Sequence, residues 1–148
     1  MKILNYGSMN IDNVYQVEHM IHPGETQMAI AKNVFAGGKG LNQSIAIAKA
    51  GGTVYHAGVV GEDGAILMDT LAKHGVDTRY VKHAAGPSGH TVIQVSREAQ
   101  NAILLFGGLF GFVGMLIGVP VFAVHGAESD TYTSHLIAAL EHKPHLII

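Results

Sequence analysis

Between Glu98 and Glu128 the chain carries no Asp, Glu, Lys or Arg, and inside that gap residues 102–124 read AILLFGGLFGFVGMLIGVPVFAV. An apolar run of this length has two outlets: a bilayer, which a helix of about 20 residues can cross, or the interior of a fold. Five glycines and Pro120 make it a poor soluble helix, although both residue types are commoner in membrane helices. Against spanning, the flanks lack basic anchors, with Arg97 upstream and His125 and Glu128 downstream. The other outlet is a buried strand and helix of one soluble domain. The gap also divides the chain. Residues 1–108 hold eight of the nine basic and eight of the eleven acidic residues. The break near 107–108 therefore predicts two regions, 1–108 and 109–148.

The remaining composition mostly excludes. A net charge of −2 leaves no basic excess to bind nucleic acid. The absence of Cys removes disulfide scaffolds, Cys-zinc sites and thiol catalysis, and is compatible with a cytoplasmic location. The opening MKILNYGSMNID has one Lys and an apolar run too short for a signal peptide.

Apolar periodicity predicts strands at 2–6, 53–60 and 80–83 and helices at 40–50, 63–74 and 131–142. Gly51-Gly52 and Gly75 read as helix stops. Residues 13–17 and 27–35 flank the Pro23-Gly24 turn and read as a hairpin or small sheet, and residues 90–96 and 102–106 flank a polar turn and read as a second hairpin. Residues 146–148 begin another strand. Strands alternating with helices predict an α/β fold with a parallel sheet, to which the hairpins are additional.

Two segments could carry chemistry. Ala36-Gly37-Gly38-Lys39-Gly40-Leu41-Asn42-Gln43-Ser44 puts three glycines in four positions directly before a predicted helix. Glycine lets a ligand approach the backbone, and a helix N-terminus offers N–H groups and positive potential to oxygen-rich ligands. Lys39 adds charge and Asn42 an amide that donates and accepts. The spacing is neither GxxxxGK[ST] nor GxGxxG. The plain alternative is a glycine-rich turn with a solvated Lys. Gly7-Ser8-Met9-Asn10-Ile11-Asp12 follows the first strand, at the carboxyl end where ligands gather in open α/β sheets. Asp12 could accept from two adjacent hydroxyls with Asn10 beside it, or both could merely stabilise a turn. His19 with His22, and His142 with His145, stand at i, i+3. No HExxH-type pattern or carboxylate completes a known metal site, so these read as surface histidines.

Taken together, GSMNIDNVYQV, HPGET, FAGGKGLNQSIAIAKAGGTVYHAGVVGEDG, GVDTRYV, GPSGHTVIQV and NAILLFGG occur in the order and spacing of the ribokinase-like, or PfkB, carbohydrate kinases. Residues 1–108 resemble the N-terminal part of that family. The resemblance implies a partial doubly wound α/β sheet with a small β lid, here followed by an apolar C-terminal tail. It implies ATP- and Mg-dependent phosphorylation of a hydroxyl on a ribose-like pentose. By the same resemblance Asn10 and Asp12 would hold sugar hydroxyls, Gly38, Lys39 and Asn42 would line the pocket, and the lid hairpins would pair two subunits as a homodimer.

The family is roughly twice as long, and its catalytic base lies in a second glycine-rich stretch of Gly-Ala-Gly-Asp type that also cradles the phosphoryl group. That stretch does not occur in these 148 residues, so no catalytic residue is assigned and the chain is expected to be a truncated or chimeric, inactive form that keeps the sugar-binding half. Residues 109–124 resemble instead the last membrane-spanning region of autoinducer exporter type permeases. The alternative expectation is a small protein anchored in a membrane through 102–124, with a soluble α/β head and no catalysis.

Overall fold

The computed structural model describes residues 2–107 and 121–125. Two four-stranded sheets share one core. Sheet A is ordered β5-β4-β1-β8 and sheet B β3-β2-β6-β7. Their strands are β1 (Lys2–Tyr6), β2 (Asn10–Gln16), β3 (Ala31–Gly37), β4 (Thr53–Val60), β5 (Asp77–His83), β6 (Gly89–Val95), β7 (Asn101–Phe106) and β8 (Val121–His125). Two helices, α1 (Lys39–Lys49) and α2 (Ala65–Lys73), precede β4 and β5.

In sheet A, β1, β4 and β5 run parallel, with Ile3 opposite Val54 and Gly58 opposite Val81. Such strands need helical crossovers, and α2 supplies the one between β4 and β5. Strand β8 adds to β1 in the antiparallel sense, with Ile3 opposite Val124. Sheet B is the lid, and its pairing differs from two separate hairpins. β2–β3 and β6–β7 are each antiparallel, but β2 and β6 lie side by side and parallel, with Asp12 opposite Thr91. The two hairpins therefore form one continuous surface.

Both helices end as the sequence predicts. Gly51 and Gly75 adopt positive φ (86° and 73°). The N–H groups of Gly52 and Val76 reach back to the carbonyls of Ile47 and Leu71 at 3.0 and 3.1 Å, closing Schellman motifs. The core gathers Met9, Ile11, Leu41, Val54, Val60, Leu67, Leu71, Val76 and Val81. Leu67 and Leu71, one turn apart, make the buried stripe of α2.

The apolar run 102–124 is not one helix. Residues 102–106 belong to β7 and 121–124 to β8, because both ends find backbone partners in β6 and β1. Among the described residues no helix is long and apolar enough to cross a membrane. Most of the exporter-like stretch, the predicted helix 131–142 and the strand at 146–148 lie outside the described residues.

Leu71 is fully buried and Met28 is 89% exposed. Leu71→Ala is expected to lower the unfolding free energy by about 2–5 kcal/mol, and Met28→Ala by less than about 0.5 kcal/mol. Urea denaturation followed by circular dichroism measures both.

Candidate functional site

At the carboxyl end of β1 the chain turns through Gly7, Ser8 and Met9 into β2, and the first turn of α1 rests on this loop. The Gly7 N–H donates to the Ala57 carbonyl of β4 (3.2 Å), and the Leu41 N–H donates to the Ser8 carbonyl (3.2 Å). A Cβ on Gly40 would stand 2.6 Å from the Gly7 Cα and 2.8 Å from the Ser8 nitrogen. Gly38, the N-cap of α1, has φ 98°. A Cβ there would stand 2.6 Å from the Ser8 carbonyl oxygen. The glycines of the motif thus let two backbones touch. They also occupy the Leu41 N–H, which the sequence alone leaves available to a ligand.

Asn10 and Asp12 are alternate residues of β2 and share a face of the lid. Asp12 stands opposite Phe35 on one side and Thr91 on the other. The Thr91 hydroxyl donates to Asp12 Oδ1 (2.8 Å). Asp12 Oδ2 fills the space that a side chain on Gly37 would take, and Asn10 Oδ1 does the same over Gly89. Gly37 runs directly into Gly38 and α1. Lys39, the first residue of α1, and Asn42, on its first turn, are exposed. The fold therefore gathers Asn10, Asp12, Gly38, Lys39 and Asn42 around one β3–α1 junction. One Asp12 oxygen is already committed to Thr91. A carboxylate has about four lone-pair positions, so capacity for further hydroxyl donors remains.

Sequence reasoning missed Thr91, Gly37 and Gly89 as partners of this pair. Thr91 lies 79 positions from Asp12, and only the parallel β2–β6 register joins them.

Behind α1 lies a buried polar chain that the sequence reading also missed. Asn5 Nδ2 donates to the Gly40 carbonyl (2.8 Å) and to Ser44 Oγ (2.7 Å), and Ser44 Oγ bonds His56 Nδ1 (2.7 Å). All three side chains are fully buried. His56 Nε2 is buried without a hydrogen-bond partner. Burial pushes the His56 pKa down to about 4, with the Gly7 backbone opposing. On the far side, Ser88 ties the loop after β4: its hydroxyl accepts from the Gly61 N–H and its own N–H donates to Asp63 Oδ1, both at 2.8 Å. Burial works against the Asp63 charge, but the Ser88 N–H and hydroxyl outweigh it and hold the carboxyl below its ordinary pKa.

Comparison with known proteins returns one theme. The profile of the pfkB family carbohydrate kinase matches residues 1–110. The chain is 38% identical over 112 residues to the ribokinase of Staphylococcus aureus, covering 72% of this chain and 36% of that protein. It superposes on the ribokinase of Cryptococcus neoformans in complex with ADP with a TM-score of 0.67 and 38% identity, over 72% of this chain and 35% of the other. The ribokinase of Arabidopsis thaliana complexed with ribose and ATP gives 0.65 and 34%, over 71% and 35%. The chain spans about a third of the length of the curated relatives it matches. These structures bear out the α/β class and the ribokinase-like sheet with its lid.

A buried His whose folded-state pKa is depressed contributes stability above its ordinary pKa, and that contribution is lost as pH falls. For His56 the window runs from about 6.5 down to about 4. Unfolding free energy is expected to drop by about 2–3 kcal/mol across it from this group alone. The pH slope should be smaller in His56→Gln, compared by denaturant titration of both proteins from pH 7 to pH 4.

Proposed function

This chain belongs to the pfkB family of carbohydrate kinases, and from that premise we propose that residues 1–108 are the sugar-binding half of a ribokinase-like kinase, whose reaction is ATP-dependent phosphorylation of a pentose hydroxyl. The observation that carries the reading is the Asp12 carboxylate, held by Thr91 over Gly37 beside the first turn of α1. In this reading Asp12 accepts from two neighbouring sugar hydroxyls, and Asn10 adds an amide on the same face. Asn42 and Lys39 approach from α1, and Gly38 leaves the backbone open to the sugar. The relatives named ribokinase, and the neighbour complexed with ribose and ATP, support ribose as substrate class and ATP as phosphoryl donor. A cytoplasmic setting belongs to the same proposal.

Transfer itself needs a base and a cradle for the moving phosphoryl, since its catalysis is positioning and charge stabilisation. Among the described residues, three of the carboxylates already hold other partners. Asp12 is tied to Thr91, Asp63 to Ser88 and Asp77 to Arg79. These 148 residues contain no Gly-Ala-Gly-Asp stretch. In this reading residues 1–108 bind the sugar, and these 148 residues by themselves do not turn over. The division near residue 108 stays part of the proposal, with β8 docking the later region onto β1.

Pairing of two copies through the lid belongs to the same reading. The sheet B register sets Val34, Asn13, Val92 and Leu104 in one row on the face opposite Asp12. Val34, Val92 and Leu104 are 44%, 37% and 72% exposed, an apolar strip of the kind that marks an interface.

Calorimetry with ribose should show binding, weakened by about tenfold or more in Asp12→Ala, the range of about 1.5–3 kcal/mol for a hydrogen bond to a charged group. Equal heats for both proteins would remove Asp12 from the site. With ribose, ATP and magnesium, ADP release should stay at the blank rate; turnover abolished by Asp12→Ala would overturn the non-catalytic reading. For the lid, Leu104→Asp should shift the sedimenting species from dimer to monomer.

A further inference from the structure

The long loop between β2 and β3 carries a cluster that neither sugar binding nor the core uses. His22, Pro23, Gly24 and Glu25 form a tight turn: the Glu25 N–H donates to the His22 carbonyl at 3.0 Å, and Gly24 has φ 82°. Pro followed by a positive-φ Gly is the type II pattern, which brings the first and fourth residues together. His19 joins them. Its Nε2 lies 2.7 Å from Glu25 Oε1, its ring stacks on that of His22 at 5.7 Å, and the His22 N–H holds Glu25 Oε2 at 2.9 Å. One donor atom from each of His19, His22 and Glu25 falls within 4.8 Å of the others. In sequence the two histidines look like a bare i, i+3 pair; the turn supplies the missing carboxylate.

We propose that His19, His22 and Glu25 form a site for a divalent cation of the zinc class, with water completing the coordination. Two imidazoles and one carboxylate suit zinc and its transition-metal neighbours and disfavour magnesium and calcium, which take oxygen. Coordination through His19 Nε2 would take the place of its hydrogen bond to Glu25 Oε1 and leave the ring hydrogen on Nδ1. The outer contacts are already in place. The His22 backbone orients the carboxylate, and the Gln27 amide nitrogen lies against both His19 ring nitrogens, 3.2 Å from Nδ1 and 3.1 Å from Nε2, with its Oε1 buried and without a partner. Turned end for end, that amide would accept the Nδ1–H and orient the ring toward the ion, the usual support for a ligating His. The loop is also anchored at its base. Gln94 Oε1 accepts from the Ile21 N–H at 3.3 Å, and the Val95 carbonyl accepts from the Val17 N–H at 2.9 Å. An ion here would brace the rim of the lid.

The test is zinc titration of the full chain against a chromophoric chelator, with the wild type, His19→Ala, Glu25→Gln and the triple alanine variant of the three ligands. A fifth protein, His142→Ala/His145→Ala, controls for the other histidine pair. We expect one zinc equivalent in the wild type, retained in the control, weakened about tenfold or more in each single variant and lost in the triple. Ring-nitrogen NMR of the wild type should show His19 and His22 shifting together on adding zinc, a readout independent of any variant's folding. Equal zinc binding by wild type and triple variant, loss in the control instead, or unmoved His19 and His22 resonances would each overturn the proposal.

Discussion

The contact on which the rest depends is the backbone-to-backbone approach of Gly7 and Gly40. Any side chain at either position would stand 2.7 Å or less from the other residue's main chain. That approach seats the first turn of α1 on the loop between β1 and β2 and lets the Ser8 carbonyl take the Leu41 N–H. It also fixes where β2 begins, and hence where Asn10 and Asp12 stand relative to Lys39 and Asn42. The junction is held from below by the Asn5–Ser44–His56 chain, which satisfies the Gly40 carbonyl in the interior. Buried polar groups this close together are tolerable only because each bonds the next. The Asn5 Oδ1 and His56 Nε2 left over are the cost of that arrangement.

Local signals in the sequence translate into structure where the physics is local. The stops at Gly51 and Gly75 are backbone conformations of single residues, and β4 runs over the stretch that β-branching predicts. α1 starts one residue before expectation, at Lys39, because Gly38 itself serves as the cap. Apolar runs are less legible. Hydropathy alone makes residues 102–106 the head of a membrane helix, whereas the polar turn before them makes them the second strand of a hairpin with 90–96. They become a lid strand because β6 offers them a ladder, and Leu104 at 72% exposure shows that the strand is not in the core. Periodicity cannot report a partner that lies outside the window it scans.

The five candidate residues stand out in the sequence through the motifs and the family resemblance. Their partners do not. Thr91 looks like one β-branched residue among several in a strand, and nothing near it in sequence points to Asp12. Glu25 has the same history: three positions from His22, it counts as a surface acid until the Pro23-Gly24 turn closes. For Thr91 the missing information is which backbone lies opposite, decided by register rather than by composition; for Glu25 it is how the Pro23-Gly24 turn folds back.

The topology ties the two halves of the site to each other. β2 and β6 are parallel neighbours in the lid, yet β3, α1, β4, α2 and β5 all intervene in the chain. Pairing β2 with β6 closes a long loop, and its closure entropy is offset by the core formed from the elements inside that loop. A change that loosens the core, even one far from the lid such as the loss of the Leu71 side chain, therefore acts on the carboxylate's partner as well as on stability. The face of the lid that carries Asp12 and the α/β core are tied together by the 79-residue span between a carboxylate and a hydroxyl.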